Sequence, residues 1–405
     1  MAQWKINLAV LWLGQFLVLA GMTMIIPFLP LYLQQDFGLT DETEIATWAG
    51  VIFAGNFVTS FLFQPLWGKL ADRHGRKIML LRSGFGMAVV MVLMGFAQAP
   101  WQLLALRMLN GTISGFNPAA VSLVSATTPK ERIGFAMGLV QSGAIAGTIM
   151  GPLMGGLLAD WVGFRPIFYI TGTLLFLASL LAMVLVKENF DRSKAASVPQ
   201  ISVWAGFKEI SHIPQLTALF AVSLLIQFAM MSPMPLIPLY VQQLHGTTEN
   251  LAFWAGFVGS VTGLSNMIAS PLLGRLSDRK GAELVLGVSL VGAGLMFIPQ
   301  AFVSDVWQLL AVRFLLGIFL GGLIPSVNAL IRKHTPDGME SRAYSFNSST
   351  LSLGNVLGPI VGGAASGVIG IEGVFLVAAA LFFLNAVWVR TVVIRPAVRR
   401  KEQRG

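Results

Sequence analysis

Twelve stretches of about 20 apolar residues, separated by short polar connections, run through this 405-residue chain. Their approximate limits are 6–33, 46–70, 78–98, 101–125, 132–159, 165–187, 215–242, 251–274, 283–303, 306–332, 340–368 and 372–394. In hydrocarbon every backbone N–H and C=O needs a partner within the protein, so segments of this length and pattern are read as spanning helices. Apolar residues make up 55% of the sequence and charged residues 11%, against about 25% charged in a soluble domain. A soluble enzyme is thereby excluded. The expected fold class is an all-α polytopic membrane protein with twelve transmembrane helices.

The second half repeats the first. Gly68-Lys-Leu-Ala-Asp72-Arg73-His-Gly75-Arg76-Lys77 returns as Gly274-Arg-Leu-Ser-Asp278-Arg279-Lys-Gly281, Trp101-Gln102 as Trp307-Gln308, Arg107 as Arg313, and Gly151-Pro152 as Gly358-Pro359. Duplicated membrane halves place a substrate path at their seam in many secondary transporters. Two pseudo-symmetric six-helix bundles are expected at residues 1–187 and 215–394. Between them lies a polar cytoplasmic linker, 188–214, with a short amphipathic helix near 201–210; a basic tail follows at 395–405.

The net charge of +9 does not point to nucleic acid. With the N-terminus inside, every Lys and Arg except Arg107, Arg165 and Arg313 falls on a cytoplasmic segment, and the positive-inside rule puts both termini in the cytoplasm. The first span is expected to be retained, being too long for a signal peptide and matched by the seventh. The chain has no cysteine, which excludes disulfides and thiolate metal sites. His74, His212, His245 and His334 fall in expected loops, and neither metal nor cofactor is expected.

Polar side chains within spans mark the protein interior, because hydrocarbon penalises them. Gln15, Asn56, Asn110, Asn117, Gln141, Gln227, Met231 and Arg313 are candidates for a substrate cavity. Each amide has an alternative reading as an interhelical hydrogen bond without substrate. Asn266, Asn328, Asn347 and Asn355 extend the map, whereas spans 3, 6 and 9 hold no mid-span amide or charge, so every third helix is expected to face lipid, with Asn385 on span 12 the exception. Met22, Met24, Met230, Met231 and Met234, with Phe16, Phe28 and Phe228, could line an adaptable apolar pocket or simply pack. None of the 18 acidic residues is expected mid-membrane, while Arg107 and Arg313 lie within spans and need acceptors or water.

These residues resemble the major facilitator superfamily, and within it the twelve-span drug:proton antiporters of bacteria. The run from Gly68 to Lys77 is similar to the family's signature loop, which implies a cytoplasmic gate at Gly68, Asp72, Arg73, Gly75 and Arg76. Gly147, Gly151, Pro152, Gly155 and Gly156 resemble the antiporter motif of span 5, which in relatives seals the seam between halves. Arg107, in Leu103-Leu-Ala-Leu-Arg107-Met-Leu-Asn110, resembles the span 4 arginine linked to proton coupling, with Asn110 where glutamine is more usual. The embedded acid of many drug antiporters is missing, so Asp36, Asp160 or Asp72 would carry the proton from a helix end, and a cavity with arginines but no acid should favour neutral or anionic amphiphiles.

The resemblance implies a secondary transporter of the bacterial inner membrane, acting as a monomer and exporting amphiphilic small molecules against protons by alternating access. Export of one metabolite (a sugar or siderophore) or of tetracycline, or solute uptake by symport, stays open as an alternative. A membrane enzyme is disfavoured, since no metal cluster, acidic pair or activated nucleophile lies within a span.

Overall fold

A computed structural model describes residues 2–129, 132–188, 213–246, 249–335 and 340–394, and no strand occurs among them. The first half contains α1 (Gln3–Met24), α2 (Leu29–Gln35), α3 (Glu42–His74), α4 (Arg76–Met94), α5 (Pro100–Ile113), α6 (Phe116–Thr127), α7 (Ile133–Val162) and α8 (Phe164–Leu185). The second contains α9 (Pro214–Met231), α10 (Ile237–His245), α11 (Leu251–Lys280), α12 (Ala282–Gln300), α13 (Val306–Leu320), α14 (Leu323–His334) and α15 (Glu340–Trp388).

Among the described residues, 10 helices are long and apolar enough to cross a membrane. The other two expected spans are present in altered form. Span 4 is divided into α5 and α6 at Ser114 and Gly115, where Gly115 takes φ 137°. Spans 11 and 12 run on through α15, turning at Gly370 (φ 74°). Spans 1 and 7 are also interrupted, α1 from α2 and α9 from α10, around Pro27 and Pro30 and around Pro233, Pro235 and Pro238, since proline cannot donate to a helix ladder.

The described residues cluster into two compact units, one taking in the chain to 188 with 249–260, the other 213–246 with 261–394. In each, a tight turn links two helices of the repeated loop, α3 to α4 through Gly75 and α11 to α12 through Gly281, both at φ 97°. A side chain is strained in that left-handed region, so glycine serves both copies of the loop.

Several expectations change. Gln300, outside the amide map, is wholly buried at the end of α12, and Asn7, also unmapped, is 1% exposed. Asn7 donates to the Lys187 carbonyl at 2.8 Å and accepts from its N–H at 3.0 Å, tying the start of α1 to the end of α8. Asn385 is buried and donates to the Val222 carbonyl at 3.0 Å, so span 12 turns its amide inward. Val89 and Leu93 on α4, Phe176 and Val184 on α8, and Val288 and Leu295 on α12 are exposed, but so are Phe61 and Leu62 on α3 and Ile268 and Leu272 on α11, so exposure does not single out every third helix. Met24 and Phe28 are core: Phe28 stacks on Phe164, with ring centres 5.5 Å apart. His74, His245 and His334 each end a helix instead of lying in a loop. His212, the expected linker helix at 201–210 and the tail 395–405 lie outside the described residues.

Candidate functional site

The signature loop is held from the far end of its own half. Glu188 follows α8, and its carboxylate accepts the Arg76 N–H at 3.1 Å and the Lys77 N–H at 2.8 Å. These are first-turn N–H groups of α4, which no helical carbonyl can satisfy, and a carboxylate there also suits the positive helix end. The Arg76 guanidinium approaches the same carboxylate at 3.9 Å, and the Lys77 ammonium donates to the Met183 carbonyl at 2.8 Å. Asp72 and Arg73 stand in the last turn of α3; their side chains, and the surroundings of Gly68, lie outside the described residues.

Behind this loop, the break in span 4 is clamped by two residues absent from the candidate set. Trp67 on α3 donates through Nε1 to the Thr112 carbonyl at 2.6 Å. Arg82 on α4 donates through Nη2 to the Ile113 and Ser114 carbonyls at 3.1 and 3.2 Å, and its guanidinium carbon lies 3.4 Å from the Trp67 ring centre. Three successive carbonyls at the end of α5 thus find donors, and the cation rests on an indole face. Arg82 is therefore part of the bundle and not only a topology-setting charge.

Deeper in the first unit, Arg107 is 3% exposed and Asn110 wholly buried on α5. Asn110 donates to Asn56 Oδ1 at 2.9 Å, joining α5 to α3, and Gln15 donates to Asn117 Oδ1 at 2.7 Å, joining α1 to α6. Four cavity candidates are therefore brought together as two pairs, each with an acceptor to spare, since Gln15 Oε1 and Asn110 Oδ1 have no partner among the described residues. Arg107 Nε and Nη1 likewise have none. Gln141 is exposed on α7 and joins neither pair.

The glycine stripe of span 5 packs mainly within its own half. A Cβ added at Gly147 would press on the α1 backbone at Phe16 and Ala20, one at Gly151 on that of Ala20, and one at Gly155 on that of Met24. Only Gly156 and Pro152 meet the first turns of α11, at Ala252, Phe253 and Gly256. Gly147, Gly151 and Gly155 thus face α1, and Gly156 and Pro152 face α11. At the C-terminal end of α7, the Asp160 carboxylate accepts from the Ala252 and Phe253 N–H groups at 3.3 and 2.8 Å. Asp36 is instead paired with Arg165 at 2.9 Å, and both acids border a cavity of about 410 Å³.

In the second unit, Gly354, Gly358 and Gly362 of α15 pack on α9 at Gln227, Met231 and Ser232. Gln227 donates to Asn355 Oδ1 at 2.6 Å, and Met231 is half-buried beside Gly358. Arg313, 4% exposed, donates through Nη1 to Gln300 Oε1 at 3.4 Å. Among the described residues every carboxylate stands in a loop, near a helix end or, for Glu372, beside the Gly370 turn of α15. Of the residues missed in sequence, Gln300 sits at the limit of an apolar stretch and Glu188 just past one, where a polar residue reads as loop; Arg82 alone carried a signal, a charge several residues into a span.

Helical repeats of this number, duplicated signature loops and a buried arginine in each half define a membrane transporter of the twelve-span type. The chain belongs to the Major Facilitator Superfamily, whose family model matches residues 11–283 and 252–405. It is 43% identical over 387 residues to a protein of Salmonella arizonae named multidrug resistance protein MdtG, covering 95% of each chain, and equally so to its namesake of Salmonella typhimurium. Among solved structures it resembles the nucleoside transporter NupG (TM-score 0.80, 14% identity, 97% and 100% of the two chains) and a bacterial homologue of the human lysosomal transporter Spinster (TM-score 0.80, 14% identity, 96% of each chain). The protein is a multi-pass secondary transporter of small molecules.

Proposed function

We propose that this transporter exports amphiphilic drugs or other toxic small molecules by proton antiport, with alternating access carried by the two duplicated halves. The observation that supports this most is the 43% identity over 95% of the chain to multidrug resistance proteins. The placement of Lys and Arg supports an inner-membrane orientation with both termini in the cytoplasm, and one chain supplies both sets of repeated helices, so the working unit is a monomer.

Within this reading Arg107 couples substrate to proton, because it is buried with two guanidinium nitrogens, Nε and Nη1, lacking partners among the described residues, and hydrocarbon makes such groups seek an acceptor. Asp160, which meets backbone N–H groups and not a cation, is a better proton carrier than Asp36, which Arg165 neutralises. The gate is the Gly68-to-Arg76 loop, with Asp72 as its acid. The buried arginine, with every described carboxylate near a helix end, in a loop or beside the Gly370 turn, favours neutral or anionic amphiphiles over permanent cations.

Substrate-induced proton movement in proteoliposomes tests the proposal. Wild-type protein should release protons on adding substrate, Arg107→Ala should abolish the release, and Asp72→Asn should slow transport. Normal coupling in Arg107→Ala would refute the assignment, and stronger export of a permanently cationic dye than of an anionic one would refute the substrate class.

A further inference from the structure

The repeat places two arginines alike and holds them differently. α4 and α12 are each 19 residues long and end on Met94 and Gln300. Arg107 and Arg313 occupy the same position in the helices that follow, α5 and α13, and Tyr32 and Tyr240 the same position in α2 and α10. Met94 and Gln300 are therefore counterparts, and so are the arginines and the tyrosines.

In the second unit Gln300 joins three groups by hydrogen bonds. Its Oε1 accepts from Arg313, its carbonyl accepts from Tyr240 Oη at 2.7 Å, and its Nε2 donates to the Met296 carbonyl at 2.9 Å. In the first unit the side chain of the wholly buried Met94 offers only a thioether, a weak acceptor, and its carbonyl accepts the Ala97 N–H at 3.1 Å. There Arg107 Nε, Arg107 Nη1 and Tyr32 Oη are all buried without a partner among the described residues. A fully satisfied buried network rigidifies, whereas an unsatisfied one leaves groups whose desolvation is not offset until an acceptor arrives.

We infer that the Met94/Gln300 difference decides which of the two repeated arginines works. Gln300 is a positioning residue that fixes Arg313 into the scaffold, while Met94 keeps Arg107 open to an oxygen acceptor carried by the substrate: a carbonyl, carboxylate or phosphate oxygen on an amphiphile. This rests on the coupling reading of Arg107 given above and adds what keeps that arginine available. An amide at position 94 would supply in advance the acceptor that substrate has to bring, so binding would lose the difference it depends on.

Transport of a dansyl-labelled fatty acid into inverted proteoliposomes, with thermal melting of the purified protein alongside, tests the inference. Met94→Gln should raise KM about tenfold while the melting temperature holds or rises, a split that a merely structural position would not produce, and Met94→Leu should restore the wild-type KM. Gln300→Leu should lower the melting temperature and leave KM within about twofold. If Met94→Gln leaves KM unchanged while Arg107→Ala abolishes coupling, the inference fails and the coupling reading survives. A tenfold rise in KM for Gln300→Leu also overturns it, because Arg313 would then be working through Gln300. Normal transport and proton release by Arg107→Ala overturns both.

Discussion

In the first unit the chain end beyond α8 returns to the signature loop, where Glu188 caps α4; in the second, Lys333 of α14 reaches Glu283 in the first turn of α12 at 2.5 Å. The first arrangement satisfies two backbone N–H groups with a side chain 6% exposed, the second is a single ion pair with its lysine 57% exposed. The turn is the same in both, Gly75 and Gly281 sharing φ 97°. So do the glycine faces, α7 on α1 and α15 on α9. Duplication has kept the backbone contacts, which tolerate no added atoms, and let the polar side chains around them diverge. The scaffold is common to the halves, and the polar contacts around it are not.

The shared contacts should break most severely and alike. Gly151→Leu and Gly358→Leu each force a side chain into the backbone of the facing helix, an overpacking that costs about 1–3 kcal/mol or more; both should cut the yield of folded protein and abolish dye efflux. If only one does so, the equivalence of the two faces is wrong.

The loop clamps should separate the halves. Glu188→Gln removes a buried charge-assisted cap and should cost about 1–2 kcal/mol, whereas Glu283→Gln breaks a partly exposed pair worth about 0–1 kcal/mol. Melting temperatures of the purified variants compare them, and a larger drop for Glu283→Gln would reverse the ranking. In the same half, Arg82→Met strips donors from the Ile113 and Ser114 carbonyls, and hydrogen exchange around the span 4 break should quicken while that of α13 and α14 stays as in the wild type.

The smallest effects belong to the amide pairs. Double-mutant cycles of Gln15→Leu with Asn117→Leu, and of Gln227→Leu with Asn355→Leu, should each give a coupling of about 0.6 kcal/mol in the folded protein. A pair that also changes substrate KM contributes to the cavity as well as to helix packing.

The signature turn was legible in sequence because its chemistry is local: a glycine at left-handed φ, a carboxylate and basic residues within ten positions. Arg107 could be found the same way, as a charge inside an apolar stretch. Glu188 could not, because its ligands are N–H groups more than a hundred positions away, and neither could the pairing of Gln15 with Asn117, since hydropathy says which residues avoid lipid and not which ones meet. Gln141 is exposed on α7 and makes no such pair.

By itself the sequence determined the helical class, the number of spans and the doubling, because a bilayer leaves the backbone one solution for a long apolar segment and a repeated segment repeats it. Only the tertiary structure decided that span 4 breaks at Gly115, that the stripe of α7 lies mostly on α1, and that Gln300 bonds one arginine while Nε and Nη1 of its twin have no partner among the described residues. Those outcomes depend on which side chains face each other across helices, where a hydrogen bond is made or lost over a few tenths of an ångström.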